Sequence, residues 1–322
     1  MRRRLGILLA LALWSSAPAI PAQEARRPLR IGVLNEAFAA SHPTVEGLKV
    51  GLRELGFREG REVAFDIRFT EGKPEAMPAA AEALVKTGVD LIFTSQEAAT
   101  LAAKEATKTI PVVFTSVGDP VAAGVVANLA QPTGNVTGVS SLQTDLVAKR
   151  LQVLKTMAPG VRRVWLVYFG ADLSTTPMIG KALDAAPRMK LELLPRGVLD
   201  VTELKRVLRE VRRGDAIVAP EGSSLDIPLA VLEQSLAMRV PAVFATALWV
   251  GHGGLVSYGP DSYGQGAQAA SLVAKILRGA RPAELPVEGA DRIDLAVNLK
   301  TADLLGLTVP RTILLRADTF RR

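Results

Sequence analysis

Short apolar runs that read as strands alternate with segments of helical spacing from residue 29 to residue 244, and this alternation is the strongest constraint on the fold. The first run, Leu29-Arg30-Ile31-Gly32-Val33-Leu34, is followed by a loop over 35–42. The next stretch, 44–55, places Val45, Leu48, Leu52 and Leu55 on one helical face. Gly56 ends that helix. The pattern continues with a strand over 63–69, a helix over 76–86 closed at Gly88, a strand over 89–93, a helix over 100–107 and a strand over 110–114. Strands separated by helices pair in parallel and need helices on both faces, so this half reads as a doubly wound α/β lobe.

A second series begins after Ser140, with helices over 146–157, 178–186, 201–212 and 228–239. Strands over 163–168, 190–194, 216–220 and 242–244 separate them. Two Rossmann-like α/β lobes in tandem are therefore expected, alike in pattern but with no close internal repeat. A chain of 322 residues also buries its apolar surface more readily in two cores than in one.

Sites in such sheets collect beyond the carboxyl ends of the strands. Thr94 and Ser95 follow one strand there, and Thr115 to Pro120 follow the next. Hydroxyls and free N–H groups at two neighbouring helix starts suit a carboxylate, and Asp119 suits an ammonium. The same residue types are the preferred helix caps, so both roles stay open for each. Gly134-Asn135-Val136-Thr137-Gly138-Val139-Ser140 reads as a polar loop at the handover between lobes, with a glycine hinge as its alternative. In the second series the corresponding loops offer Tyr168 with Gly170, Glu221 with Ser223 and Ser224, Thr246 with Trp249, and Tyr258 beside Ser257.

The chain lacks the marks of catalysis. His42 and His252 are its two histidines, each expected on a surface or loop, and neither has metal-ligand spacing or a nucleophile beside it. No nucleophile elbow, phosphate-binding loop or dinucleotide turn follows a strand. No catalytic residue, metal or cofactor is expected. The charges are mixed, without a dense basic run, which argues against a nucleic-acid partner.

The amino terminus sets the compartment. Arg2, Arg3 and Arg4 precede an apolar run from Leu5 to Trp14 and small residues up to Ala22, the layout of a cleavable signal peptide over 1–22. The run is about ten residues, against roughly 20 needed to span a bilayer as a helix. Cleavage is placed after Ala22, with Ala19 as the alternative; loss of the three arginines lowers the formal charge from +7 to +4. There is no cysteine, hence no disulfide, thiolate metal site or lipid anchor, and a free periplasmic protein is expected.

Several segments together carry a family likeness. They are Leu52-Arg53-Glu54-Leu55-Gly56-Phe57, Thr115-Ser116-Val117-Gly118-Asp119-Pro120-Val121 and Gln131-Pro132-Thr133-Gly134-Asn135-Val136-Thr137-Gly138-Val139-Ser140. Val256-Ser257-Tyr258-Gly259-Pro260-Asp261, Ala274-Lys275-Ile276-Leu277-Arg278-Gly279 and Val297-Asn298-Leu299-Lys300-Thr301-Ala302 extend it over nearly the whole chain. The chain resembles the ABC-transporter substrate-binding family related to the tryptophan/tyrosine uptake binding proteins.

That resemblance implies a type I periplasmic binding fold. One lobe would be built from 28–140 plus about 257–292, the other from about 141–256 plus about 293–322, with crossings near 139–142, 248–257 and 292–297. A small molecule would be held between lobes that close about a hinge, and the closed form would dock on an ABC permease with its ATPase. The implied contacts are Thr94, Ser95, Ser116, Asp119, Pro120 and Thr137 from the first lobe and Tyr168, Glu221, Thr246 and Tyr258 from the second. An amino acid is the favoured ligand, with an aromatic preference resting on Tyr168, Trp249 and Tyr258. A monomer is the expected state. A periplasmic sensor feeding a receptor is the alternative. The same fold serves sugar-responsive repressors, but those carry an amino-terminal DNA-binding motif where this chain has its signal-like segment.

Overall fold

The computed structural model describes residues 27–36, 42–221 and 224–322. The expected signal peptide lies outside the described residues. In the first half, β1 (Leu29–Asn35), α1 (Pro43–Glu54), β2 (Val63–Phe69), α2 (Met77–Lys86), β3 (Leu91–Ser95), α3 (Glu97–Ala106), β4 (Val112–Val117) and β5 (Val136–Ser140) follow in order. The strands pair in parallel in the order β2-β1-β3-β4-β5.

The strands read as near-continuous apolar runs because both faces of the sheet are covered. Ile31, Val33, Leu91 and Phe93 enter one core with Leu48 and Leu52 of α1. Leu34, Ile92 and Phe114 enter the other with Leu84 of α2 and Ala99 of α3.

β5 corrects the reading of 134–140 as a loop. All five of its residues are buried, and Gly138 is required by packing: a Cβ there would lie 2.3 Å from the Phe114 carbonyl oxygen. The glycine serves close strand packing instead of a turn.

The second half contains α4 (Gln143–Met157), β6 (Arg163–Phe169), α5 (Thr175–Ala185), β7 (Glu192–Val198), α6 (Val201–Arg209), β8 (Ala216–Val218), α7 (Ile227–Met238), β9 (Ala242–Phe244), α8 (Ala247–Gly251) and β10 (Val256–Pro260). Its sheet repeats the order of the first as β7-β6-β8-β9-β10. α9 (Ser262–Leu277) and β11 (Glu288–Gly289) belong to the first lobe, where β11 pairs with β5. β12 (Ile293–Asn298), α10 (Leu299–Leu304), α11 (Arg311–Leu314) and β13 (Thr319–Arg321) return to the second. There β12 runs antiparallel to β10, and β13 lies parallel to β12.

α9 is held to the first lobe by contact of small residues with α1. A Cβ on Gly47 would fall 2.0 Å from the Tyr263 carbonyl oxygen, and one on Gly266 would fall 1.9 Å from that of Thr44. The backbones of the two helices therefore touch where both lack side chains.

The chain crosses between lobes at 140–143, 260–262 and 289–293. The second crossing lies later than expected because Val256–Pro260 pairs with both β9 and β12. The crossings are tied side by side: the Ala290 N–H donates to the Ser140 carbonyl at 2.9 Å, and the Asp261 N–H donates to the Arg292 carbonyl at 3.2 Å.

Candidate ligand-binding cleft between the lobes

In each sheet the strand order reverses beside the first strand, and the carboxyl ends there open a crevice in which ligands of such folds sit. The two crevices face each other. Glu36 follows β1, Gln96 and Glu97 follow β3, and Ser116 and Gly118 close β4. Gln143 follows the first crossing, Asp172 and Ser174 follow β6, and Glu221 follows β8. These nine residues line one cavity of about 360 Å³, mouth included.

The backbone of the first wall is strained. Gln96 has φ 79° and Ser116 has φ 57°, both in the left-handed region that non-glycine residues avoid. Such conformations persist only where surrounding bonds hold them. Here the Ser116 N–H donates to Gln265 Oε1 of α9 at 3.2 Å, and the Gln96 N–H donates to the Thr115 carbonyl at 3.0 Å.

Acidic groups dominate the cavity. Glu97 is 8% exposed; its Oε1 accepts from the Leu173 N–H at 3.0 Å, a hydrogen bond from the first lobe to the second, while its buried Oε2 has no protein partner. Glu36 is 2% exposed. Burial, then the like charges of Glu97 and Glu36, push the Asp172 carboxyl up to about 8. Burial also raises Glu221, with the Ser141 hydroxyl, the Arg150 guanidinium and the Ser116 hydroxyl pulling the other way.

Arg150 lies beneath this floor, fully buried on α4. Its Nε donates to the Tyr258 carbonyl at 2.8 Å and its Nη1 to Gln143 Oε1 at 3.2 Å. The same Gln143 oxygen accepts from the Glu221 N–H at 2.9 Å. Burial lowers the guanidinium to about 10, opposed by the electrostatic influence of Glu221 and then of Tyr258.

Two lobes of this topology, facing across a polar cleft, match the type I periplasmic binding proteins, and residues 37–321 match the sequence model described as ABC transporter substrate binding protein. The chain belongs to the ABC transporter substrate-binding protein family. A curated relative, the tyrosine-binding protein of Clostridioides difficile (strain R20291), is 25% identical over 86% of this chain and 82% of its own length. A solved structure of a conserved domain protein from Vibrio cholerae is 28% identical, covering 92% of this chain and all of that one, with a TM-score of 0.84. An ABC domain from Streptococcus pneumonia in complex with L-Trp is 25% identical over 91% and 99% of the two chains, with a TM-score of 0.81. The family is one of substrate-binding proteins, and the tyrosine-binding relative and the L-Trp complex are described by what they bind rather than by a reaction.

Of the residues expected to touch a ligand, this substrate-binding protein brings Ser116 and Glu221 together at the cavity. The other eight do not line it. The Thr94 hydroxyl pairs with that of Thr100 at 2.9 Å, inside the lobe. Ser95 is buried at the end of β3. Asp119 Oδ1 accepts from the Ala122 N–H at 3.0 Å, and the Pro120 carbonyl accepts from Val125 and Val126. Thr137, now within β5, donates to the Leu285 carbonyl at 2.8 Å.

Tyr168 and Tyr258 pack against the core of the second lobe, and Trp249 stacks on Phe244 with ring centroids 6.2 Å apart. Thr246 precedes α8 without capping it through its side chain. His42, expected merely as a surface or loop residue, caps α1: its Nδ1 lies 2.7 Å from the Thr44 hydroxyl and accepts weakly from the Thr44 N–H. Burial lowers its imidazole to about 4.

Glu36, Glu97, Gln143, Asp172 and Arg150 were not among the expected contacts. An acid within three residues of a strand's carboxyl end is the signal shared by the first, second and fourth. Among the described residues no helix is long and apolar enough to cross a membrane.

Proposed function

We propose that this protein is the periplasmic solute-binding component of an ABC importer, holding an amino acid in the inter-lobe cleft and presenting the closed form to a permease with its ATPase. The observation that carries the reading is the split of the cavity's acids. Glu36 and Glu97 come from one lobe, Asp172 and Glu221 from the other, and the hydrogen bond from Leu173 to Glu97 spans the cleft between them. A ligand's ammonium bridging these carboxylates interacts with both lobes only when they are closed, so its binding free energy favours closure.

Ser116, Gln143 and the N–H groups opening α3 supply polar contacts for the other end of a zwitterion. The relatives that bind tyrosine and tryptophan support an amino acid as the class of ligand. The basic and apolar amino terminus supports export to the periplasm, and the protein acts as a monomer.

A thermal-shift screen of the purified protein against amino acids and small organic acids tests this reading. A ligand bound only by the native state stabilises it by about 2.7 kcal/mol at a hundredfold excess over Kd. The expected result is a shift with at least one amino acid that Asp172→Ala abolishes. A shift with organic acids alone would overturn the amino-acid class.

A further inference from the structure

We infer that Arg150 is a positioning residue of this cleft: it fixes the amide of Gln143 with its nitrogen toward the cavity, so that the site takes a ligand carrying a carboxylate as well as an ammonium and discriminates against the matching amine. The inference rests on the binding-protein reading and adds what that site selects.

Gln143 is the first residue of α4, and Arg150 lies seven positions on, about two turns along the same helix face. Arg150 is fully buried and Gln143 is 5% exposed, and of the two only Gln143 lines the cavity. Gln143 Oε1 accepts from Arg150 Nη1 at 3.2 Å and from the Glu221 N–H at 2.9 Å. A guanidinium and a backbone N–H can only donate, so the amide atom that meets them both has to be the oxygen. Turning the amide over would set its own N–H groups against two buried donors. Its Nε2 is therefore the atom left for the cavity, and it has no partner among the described residues.

Both ends of this arrangement are held. A Cβ on Gly118 of the first lobe would lie 3.1 Å from the Gln143 Cβ, so the stem of Gln143 fits against a residue without a side chain. Arg150 is anchored in turn by donation from its Nε to the Tyr258 carbonyl at 2.8 Å. Donation by a cation into Oε1 polarises the amide and makes its N–H groups stronger donors. A ligand carboxylate is the acceptor that gains most from them.

Other unmet groups around the hinge lean the same way. Gln265 Oε1 accepts the Ser116 N–H at 3.2 Å, and its buried Nε2 has no protein partner. Arg150 Nη2 has none either, against one unmet carboxylate oxygen, Glu221 Oε2. The free oxygen of Glu97 serves the ligand's ammonium, so the two ends of a zwitterion find different partners.

Isothermal titration of the purified protein with the standard amino acids, and with the decarboxylated amine of each one that binds, reads the selection as a ratio of affinities. The wild type should bind at least one amino acid about tenfold or more tighter than its amine. Gln143→Glu keeps an acceptor for both buried donors but turns an oxygen to the ligand, and should bring the ratio to about one or below. Arg150→Met is made in the Glu221→Gln background, which leaves no buried carboxylate without its cation, and is compared with Glu221→Gln alone. Freeing the amide to turn should lower the ratio about threefold or more. General damage to the site weakens amino acid and amine alike and leaves the ratio where it was. An unmoved ratio in either comparison, or an amine bound by the wild type as tightly as its amino acid, would overturn the inference and leave amino-acid capture standing. No binding by any amino acid would overturn both.

Discussion

Glu97 Oε1 accepts the backbone N–H of Leu173 at 3.0 Å, so a carboxylate opening a helix of the first lobe holds a loop of the second. The other oxygen of the same carboxylate stays within the cavity. One side chain thus couples cleft closure to what the cleft contains.

Glu97→Ala removes this coupling. A hydrogen bond to a charged group is worth about 1.5–3 kcal/mol, so ligand affinity should fall roughly 10- to 100-fold. The melting temperature of the ligand-free protein should hardly move, because Glu97 lies at the cleft and outside both cores. Calorimetry and a thermal melt on the same preparation check the two halves.

Closure of the empty protein should depend on pH. In the closed form burial and the charges of Glu97 and Glu36 raise Asp172 from 3.8 to about 8. An open cleft returns it to solvent and to its ordinary range. The closed form therefore binds a proton that the open form lacks between about pH 4 and 8, and its advantage is lost as pH rises through 8. The radius of gyration of the ligand-free protein should grow between pH 6 and 9, and Asp172→Asn should flatten that change. A ligand's ammonium displaces the same proton, so its affinity should rise over this interval.

Arg150 is a structural cation as well as a counter-charge. Arg150→Ala leaves the Tyr258 carbonyl without its donor and Glu221 without its cation. Leaving buried acceptors such as the Tyr258 carbonyl and Gln143 Oε1 without their donor costs about 1–3 kcal/mol each, which urea unfolding would measure. Arg150→Met combined with Glu221→Gln removes both charges and should recover most of the loss.

The contact between α1 and α9 predicts intolerance of a single methyl. Gly47→Ala and Gly266→Ala each place a Cβ about 2 Å from a backbone oxygen of the partner helix. Overpacking against a backbone that cannot turn aside should cost about 1–3 kcal/mol or more by urea unfolding. Gly160→Ala, which meets nothing within 4 Å, is the control.

Most of the fold was legible because parallel strands covered on both faces leave apolar runs such as Ile31 to Leu34 and Leu91 to Phe93. β5 was not, since its Thr137 and Gly138 carry loop chemistry while tertiary packing against Phe114 demands the glycine. The cavity was legible as a set of strand ends, and Ser116 and Glu221 line it on that ground. Thr94 and Thr137 misled because a hydroxyl satisfied inside a lobe looks the same in sequence as one aimed at a ligand. Glu97 and Asp172 were missed because an acid at a helix start reads as an ordinary partner of the helix dipole. Arg150 left a clearer mark, a charge amid Val147, Leu151 and Leu154 on the buried face of α4.

Capture by closure in this cleft is tested most directly by small-angle X-ray scattering at pH 9, where the empty protein should be open. Saturation with the amino acid that gives the largest thermal shift should reduce the radius of gyration of the wild type and leave that of Glu97→Ala larger at equal occupancy. Full binding with an unchanged radius, or equal compaction of the variant, would contradict it.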